Sequence, residues 1–352
     1  MKSTARGHSP KQQPKSYQTH CELIKGSKDE AKRAIGFAKK AKADDLLADA
    51  SLAWGNALSR NGDFDEAKEK LELAIKHAEI ANLPLIAGQS YQILGIDSVY
   101  QGEHEAAKRY FEKNLEIFRQ LKHRQGEAAG LGNLGVLMLI QCNYPAALVY
   151  IEQTAEIFHE VNDIRNETIG LINIGSVALK LGQFEKAQKN YEQGLKLALQ
   201  TADLQSQREA HNWLGHLFSD LAQYAKAGQH YRDGLILANK LNTQGHVVEL
   251  QVGLATLAWV DGNHEEAAFL LNEVLHNVNE QVLAQADDML RIFLRAYQIL
   301  KGGRDERAQA ILETANNHLQ KLAAQINNTE LKRYFLQDVA IHRAITAEFE
   351  KS

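Results

Sequence analysis

The amino-acid sequence predicts an all-α fold, a right-handed superhelical solenoid of tandem helical hairpins, and three observations in its 352 residues predict it. The first is a register, Gly-x-aromatic-x-x-Ala. It runs through Gly62-Asp63-Phe64 with Ala67, Gly102-Glu103-His104 with Ala107 and Asn143-Tyr144 with Ala147. It continues through Gly182-Gln183-Phe184 with Ala187, Gln223-Tyr224 with Ala227 and Gly262-Asn263-His264 with Ala267. These alanines stand 40 residues apart five times in succession, and Gly303 with Ala308 adds a seventh copy after a one-residue insertion. The second observation is a small residue twelve positions before each alanine: Gly55, Gly95, Gly135, Gly175, Gly215, Ala255 and Ala296. The third is a large apolar residue four positions after it: Leu71, Phe111, Ile151, Tyr191, Tyr231, Leu271 and Leu312. A fixed period of this length marks a stack of like units in place of one globular core.

Each unit reads as two helices. A gap of four residues is one helical turn, so the alanine and the large residue share a face. The small residue admits the close approach of a second helix, and the large one fills the gap so formed. Gly62, Gly102, Gly182 and Gly262 end the first helix in a backbone conformation open mainly to glycine. The order Leu-Gly followed by Ala-x-x-x-Phe/Tyr, as in Leu94-Gly95…Ala107…Phe111 and Leu214-Gly215…Ala227…Tyr231, resembles the tetratricopeptide repeat over residues 44–325. The unit is about six residues longer than the usual 34. The tryptophan expected before Leu-Gly is replaced by Ser51, Tyr91, Leu131, Leu171, His211 and Gln251, and the repeat-closing proline is absent. Long repeats with a core such as Gly132-Asn133-Leu134-Gly135 look like those of cell-polarity adaptors and kinesin light chains. They also look like the C-terminal sensor arrays of bacterial signalling ATPases and transcription activators, whose ends the tail Leu331–Leu336…Ile341-His342-Arg343 is similar to.

In chain order, residues 1–16 are rich in Lys, Ser, Gln and Pro and read as a disordered basic arm. Residues 17–43 read as a degenerate capping hairpin that closes the open end of the stack. Seven repeats then fill 44–325. Asn82, Asp163, Asp203 and Asn242 stand in the inter-repeat turns as residue types that cap a following helix. Residues 326–352 read as closing helices, with Leu331, Phe335, Leu336, Val339, Ile345 and Phe349 covering the face of repeat seven.

Charge is unevenly placed around the net −4. Residues 1–42 hold eleven Lys/Arg against Glu22, Asp29 and Glu30, which leaves 29 against 41 acids in the remainder. The basic arm offers a contact for nucleic acid or an acidic partner, although a solvated start is the preferred reading and nucleic acid is not the expected partner. Cys21 and Cys142 provide neither a disulfide framework nor a metal cluster and favour a reducing compartment. No apolar run approaches a membrane span and no secretory signal is evident, so the expected location is the cytoplasm.

No P-loop, Rossmann fingerprint, nucleophile elbow or His-Glu-x-x-His occurs, and no cofactor, metal or catalytic residue is expected. His104 and His264 stand in the aromatic slot, while Glu265-Glu266 and Asp287-Asp288 read as helix-surface acids. Binding is expected on the first helix of each repeat, which lines the concave side of such stacks. The candidates are Gln92, Asn133, Val136, Asn173, Ser176, Lys180, Asn212, Trp213, His216 and Trp259. Asparagine offers a paired donor and acceptor that match the backbone of an extended peptide, and tryptophan anchors an apolar side chain. The same asparagines equally serve to bridge neighbouring helices and the tryptophans to fill the core; the residues alone leave both open. The expected function is a non-catalytic scaffold or adaptor for a protein or peptide segment. The alternative is a ligand- or peptide-sensing regulatory array of a bacterial signalling or transcription regulator.

Overall fold

A computed structural model describes residues 32–352 apart from 34, 39, 41 and 327. The basic arm and most of the capping hairpin expected at 17–43 lie outside the described residues. Every regular element among those residues is a helix. Repeat one is α1 (Asp44–Asn61) and α2 (Phe64–Ile80), repeat two α3 (Pro84–Tyr100) and α4 (His104–Gln120), repeat three α5 (Arg124–Ile140) and α6 (Tyr144–Glu160). Repeat four is α7 (Ile164–Lys180) and α8 (Phe184–Gln200), repeat five α9 (Leu204–Asp220) and α10 (Tyr224–Lys240), repeat six α11 (Gln244–Val260) and α12 (His264–Asn277). The single turn α13 (Glu280–Leu283) precedes repeat seven, α14 (Met289–Gly302) and α15 (Ala308–Ala324). Helices α16 (Thr329–Gln337) and α17 (Ala340–Phe349) follow.

The 40-residue period divides into two equal halves. A left-handed residue closes a helix at every twentieth position from Lys42 to Gly262: glycine at 62, 102, 182 and 262, and Lys42, Asn82, Lys122, Cys142, Asn162, Ala202, Ala222 and Asn242 at the others. The next N–H then returns to the carbonyl five residues back, as in Asp63 to Leu58 at 3.0 Å and Gln183 to Ala178 at 2.8 Å. This bond satisfies a carbonyl that the helix end leaves without a partner. Asn82 and Asn242 fill this left-handed position (φ 54° and 55°), not the cap of the following helix. Asp163 and Asp203 do cap, accepting from Asn166 N and from Gln205 N and Ser206 N. The difference is one of position: the left-handed residue stands at 82, 162, 202 and 242, and the cap is the residue after it, which is Leu83, Asp163, Asp203 or Thr243.

The predicted small–large pairing is the packing rule. The alanines at 67, 107, 147, 187, 227 and 267 are all fully buried. A Cβ on Gly215 would lie 2.4 Å from the Tyr231 ring, so only glycine lets α9 and α10 close on that ring. The seventh copy departs from the rule, since Ala308 opens its helix and is only half-buried, while Leu312 and Ala315 are buried.

Contacts divide the chain into two compact units meeting in sequence at Gly130/Leu131. In the first, Trp54, Leu58, Leu71 and Leu94 form the core with Ile35 and Ala38, and Asn114 Nδ2 donates to the Gly88 carbonyl at 2.8 Å. In the second, the core runs through Tyr191, Trp213, Leu214, Leu217, Tyr231 and Leu250. There α7, α9 and α11 stack in turn, α11 meets α14, and α17 packs on α14 and α15. Phe335, Val339 and Ile345 are buried, while Phe349 is 37% exposed.

Candidate functional site

The inner helices of the second unit, α7, α9, α11 and α14, carry a charged network where a repeat array normally presents open surface. Its cause is the one break in the twenty-residue cadence. Helix α12 stops at Asn277, Val278 turns extended, and residues 282–288 fold back over the start of α11. A Cβ on Gly245 would sit 2.3 Å from the Val282 carbonyl oxygen, so the first turn of α11 is in backbone contact with that segment. Glu249 holds it there, accepting from Asp287 N at 2.8 Å and Asp288 N at 3.1 Å.

Asp287 and Asp288 therefore do not lie on a helix surface. Asp287 accepts from Arg208 at 2.7 Å and Asn212 at 2.9 Å, with His246 at 3.3 Å. Asp288 caps α14 by accepting from Arg291 N at 3.1 Å and lies 3.9 Å from Lys180. Burial opposes ionisation of Asp288, but Lys180, Arg291 and His216 outweigh it and hold its pKa down at about 2. Asp220 is held below the usual carboxylate range by Arg291 and Arg295, which bond it at 2.8 and 3.0 Å. Glu209 moves the other way: burial, reinforced by the Asp287 charge, pushes it up to about 7.

The predicted site residues fall into five sets, of which Lys180 and Trp213 form the last. Asn212 is fully buried on Asp287, and His216 is buried between Tyr231 (3.0 Å) and Glu249 (2.8 Å), so both are committed inside the chain. Trp259 meets His264 in a tilted ring contact, centroids 4.1 Å apart, and packs against Gly302, away from the others. Gln92 is half-buried on α3 of the first unit. A fourth set stays available. Asn133 is half-buried with its Nδ2 unbonded, Val136 is 53% exposed beside it, and Asn173 and Ser176 are half-buried one repeat on.

Lys180 and Trp213 meet in a pocket of about 580 Å³. The Trp213 ring, stacked on Tyr191, lies 6.0 Å from the Lys180 ammonium. Leu179, Leu181, Phe184, Tyr224 and Leu294 form apolar walls, Asp220, Arg291 and Arg295 one end, and Asp338 to Ala344 the roof. The roof is fixed by Tyr334 on Tyr144 (6.4 Å) and by Glu348, which accepts from Tyr297 at 2.9 Å and from Lys301 at 2.5 Å. Sequence reasoning missed Arg208, Glu249, Arg291, Arg295 and the roof. The visible signals were the acid doublet and the phase slip after Gly262.

A family model for the tetratricopeptide repeat matches residues 86–160 and 126–200. A search of curated protein sequences found no match. Among solved structures, the apo form of RapI is 13% identical over 94% of this chain and 99% of that one, with a TM-score of 0.62. A Rap protein complexed with competence and sporulation factor is 16% identical over 94% and 96%, with a TM-score of 0.53. A signal-transduction ATPase with a tetratricopeptide-repeat sensor from Pyrococcus horikoshii is 17% identical over 89% of this chain but 49% of its own length, with a TM-score of 0.55. The likeness is one of fold. Residues 86–200 carry tetratricopeptide repeats, and the chain as a whole has a helical-repeat fold like that of RapI and of the sensor-bearing ATPase. No helix among the described residues is long and apolar enough to cross a membrane.

Proposed function

We propose that this chain is a non-catalytic regulator or adaptor that binds a peptide segment of a partner on the inner face of its second unit. The observation that carries this reading is Asn133, whose buried Nδ2 has no hydrogen-bond partner, next to the exposed Val136. Asn173 occupies the same slot one repeat later, so two amides are spaced along one face to meet an extended backbone. A Rap protein of like fold is complexed with competence and sporulation factor, which is in keeping with a peptide ligand. The roofed pocket at the end of this face favours a second reading, a sensor whose occupancy is passed to an effector.

The test starts from partners recovered by affinity purification and mass spectrometry, narrowed to a bound segment. Asn133→Ala with Asn173→Ala is expected to weaken that segment roughly ten- to a thousandfold while leaving the circular dichroism spectrum unchanged. Full affinity in the double variant, with loss on mutating the outer helices, refutes the reading.

A further inference from the structure

The pocket beneath α17 has more hydrogen-bond donors than acceptors. Lys180 carries three N–H donors, and its one close charged contact is Asp288 at 3.9 Å, too long for a hydrogen bond. Arg295 spends one nitrogen on Asp220 and one on Gln298. Arg343, on the roof, is exposed and reaches only the Gln337 carbonyl at 3.4 Å. The acids are already engaged: Asp220 by two arginines, Asp288 by Arg291 and Lys180, and Asp338 by Arg333 at 3.8 Å. The first turn of α17 also lines the pocket, and no side chain caps it. Lys180, Arg291, Arg295 and Arg343 thus face Asp220, Asp288 and Asp338, which leaves one positive charge in excess beside an apolar floor.

We infer that this pocket binds an apolar group bearing a carboxylate, with Phe184 and Tyr224 against the apolar part and Lys180 and Arg343 on the anion. The size suits it, since small-ligand pockets run from about 300 to 1,000 Å³. The charge on Lys180 and Arg343 favours an anion over its neutral amide. Two sources carry this chemistry, a small organic acid and the C-terminal residue of a peptide. The second rests on the peptide reading above and the first does not.

The full chain is titrated calorimetrically with hexanoate and 3-phenylpropionate, with their amides, and with a short peptide ending in leucine as free acid or amide. A small acid is expected to bind at about 0.1–1 mM, and its amide at least tenfold more weakly. Lys180→Met is expected to cost the acids tenfold or more. Arg343→Gln, on an exposed side chain, is expected to cost threefold or more and serves if Lys180→Met does not fold. Binding of the free-acid peptide but not of the small acids assigns the carboxylate to a chain end; the reverse assigns it to a metabolite. Acid binding that survives Asn133→Ala with Asn173→Ala supports the pocket even where the peptide reading fails. Equal affinity of acids and amides, no binding of any carboxylate, or acid binding indifferent to both Lys180→Met and Arg343→Gln overturns the inference.

Discussion

Glu209 is a carboxylic acid whose environment brings its titration into the neutral range. It is half-buried on α9, with Arg208 on its own helix, His246 on α11 and Asp287 on the folded-back segment. Its pKa, raised by burial and by Asp287 to about 7, means that between pH 4.5 and 7 the folded chain keeps a proton the unfolded chain has lost. Its contribution is therefore fully present below about pH 4.5 and lost as pH rises through 7. Asp288 and Asp220 act in the opposite sense: their folded pKa values are depressed, and their contribution disappears on acidification below the usual carboxylate range. Glu209→Gln is expected to stabilise the protein by about 1–3 kcal/mol at pH 8 and by little at pH 4.5, as read from urea unfolding at each pH. A variant that keeps the parent's fall in stability between those values refutes the assignment. At this scale the sequence singled out Lys180 and Trp213, which line one pocket, but gave no hint of the fate of Asn212. The partner of Asn212 is Asp287, 75 residues away, and no periodicity joins the two.

The helix pair is shaped by its exits. Four of the left-handed positions hold glycine, but Ala202 at φ 53° and Ala222 at φ 57° hold a conformation that disfavours a Cβ. Gly262 has open space around its missing Cβ, so alanine there would be strained by the backbone alone. Ala202→Gly is expected to stabilise by about 0.5–1 kcal/mol and Gly262→Ala to destabilise by about 1 kcal/mol, measured as opposite shifts in melting temperature. Shifts of the same sign would show that φ does not govern these turns. The glycines were legible in the sequence because they mark alternate exits. The twenty-residue cadence was not, because Asn, Lys, Ala and Cys fill the remaining exits and no residue type betrays them. Asn82 and Asn242 were misplaced for a related reason: asparagine serves both helix starts and left-handed ends.

Over the whole chain, a buried alanine every 40 residues specifies hairpin after hairpin, and six consecutive repeats follow it. Pattern reading falters where the pattern stops: the 282–288 segment and the roof of the pocket lie outside the register, and Asp287 and Asp288 draw their partners from helices that follow it. The closing helices extend this logic, because they lie against repeat seven and over the pocket at once. Phe335, Val339 and Ile345 are each at most 3% exposed, so removing residues 328–352 strips apolar cover from α14 and α15. At roughly 1.5–3 kcal/mol for each large side chain fully buried, the loss is comparable with the entire stability of many domains. The exposed face is also wide enough to drive self-association. The truncated chain is expected to show a greater scattering mass than the full chain, a lower melting temperature and at least tenfold weaker binding of 3-phenylpropionate. A truncated chain that keeps the parent's mass, melting temperature and ligand affinity would show that α16 and α17 neither close the array nor roof the pocket.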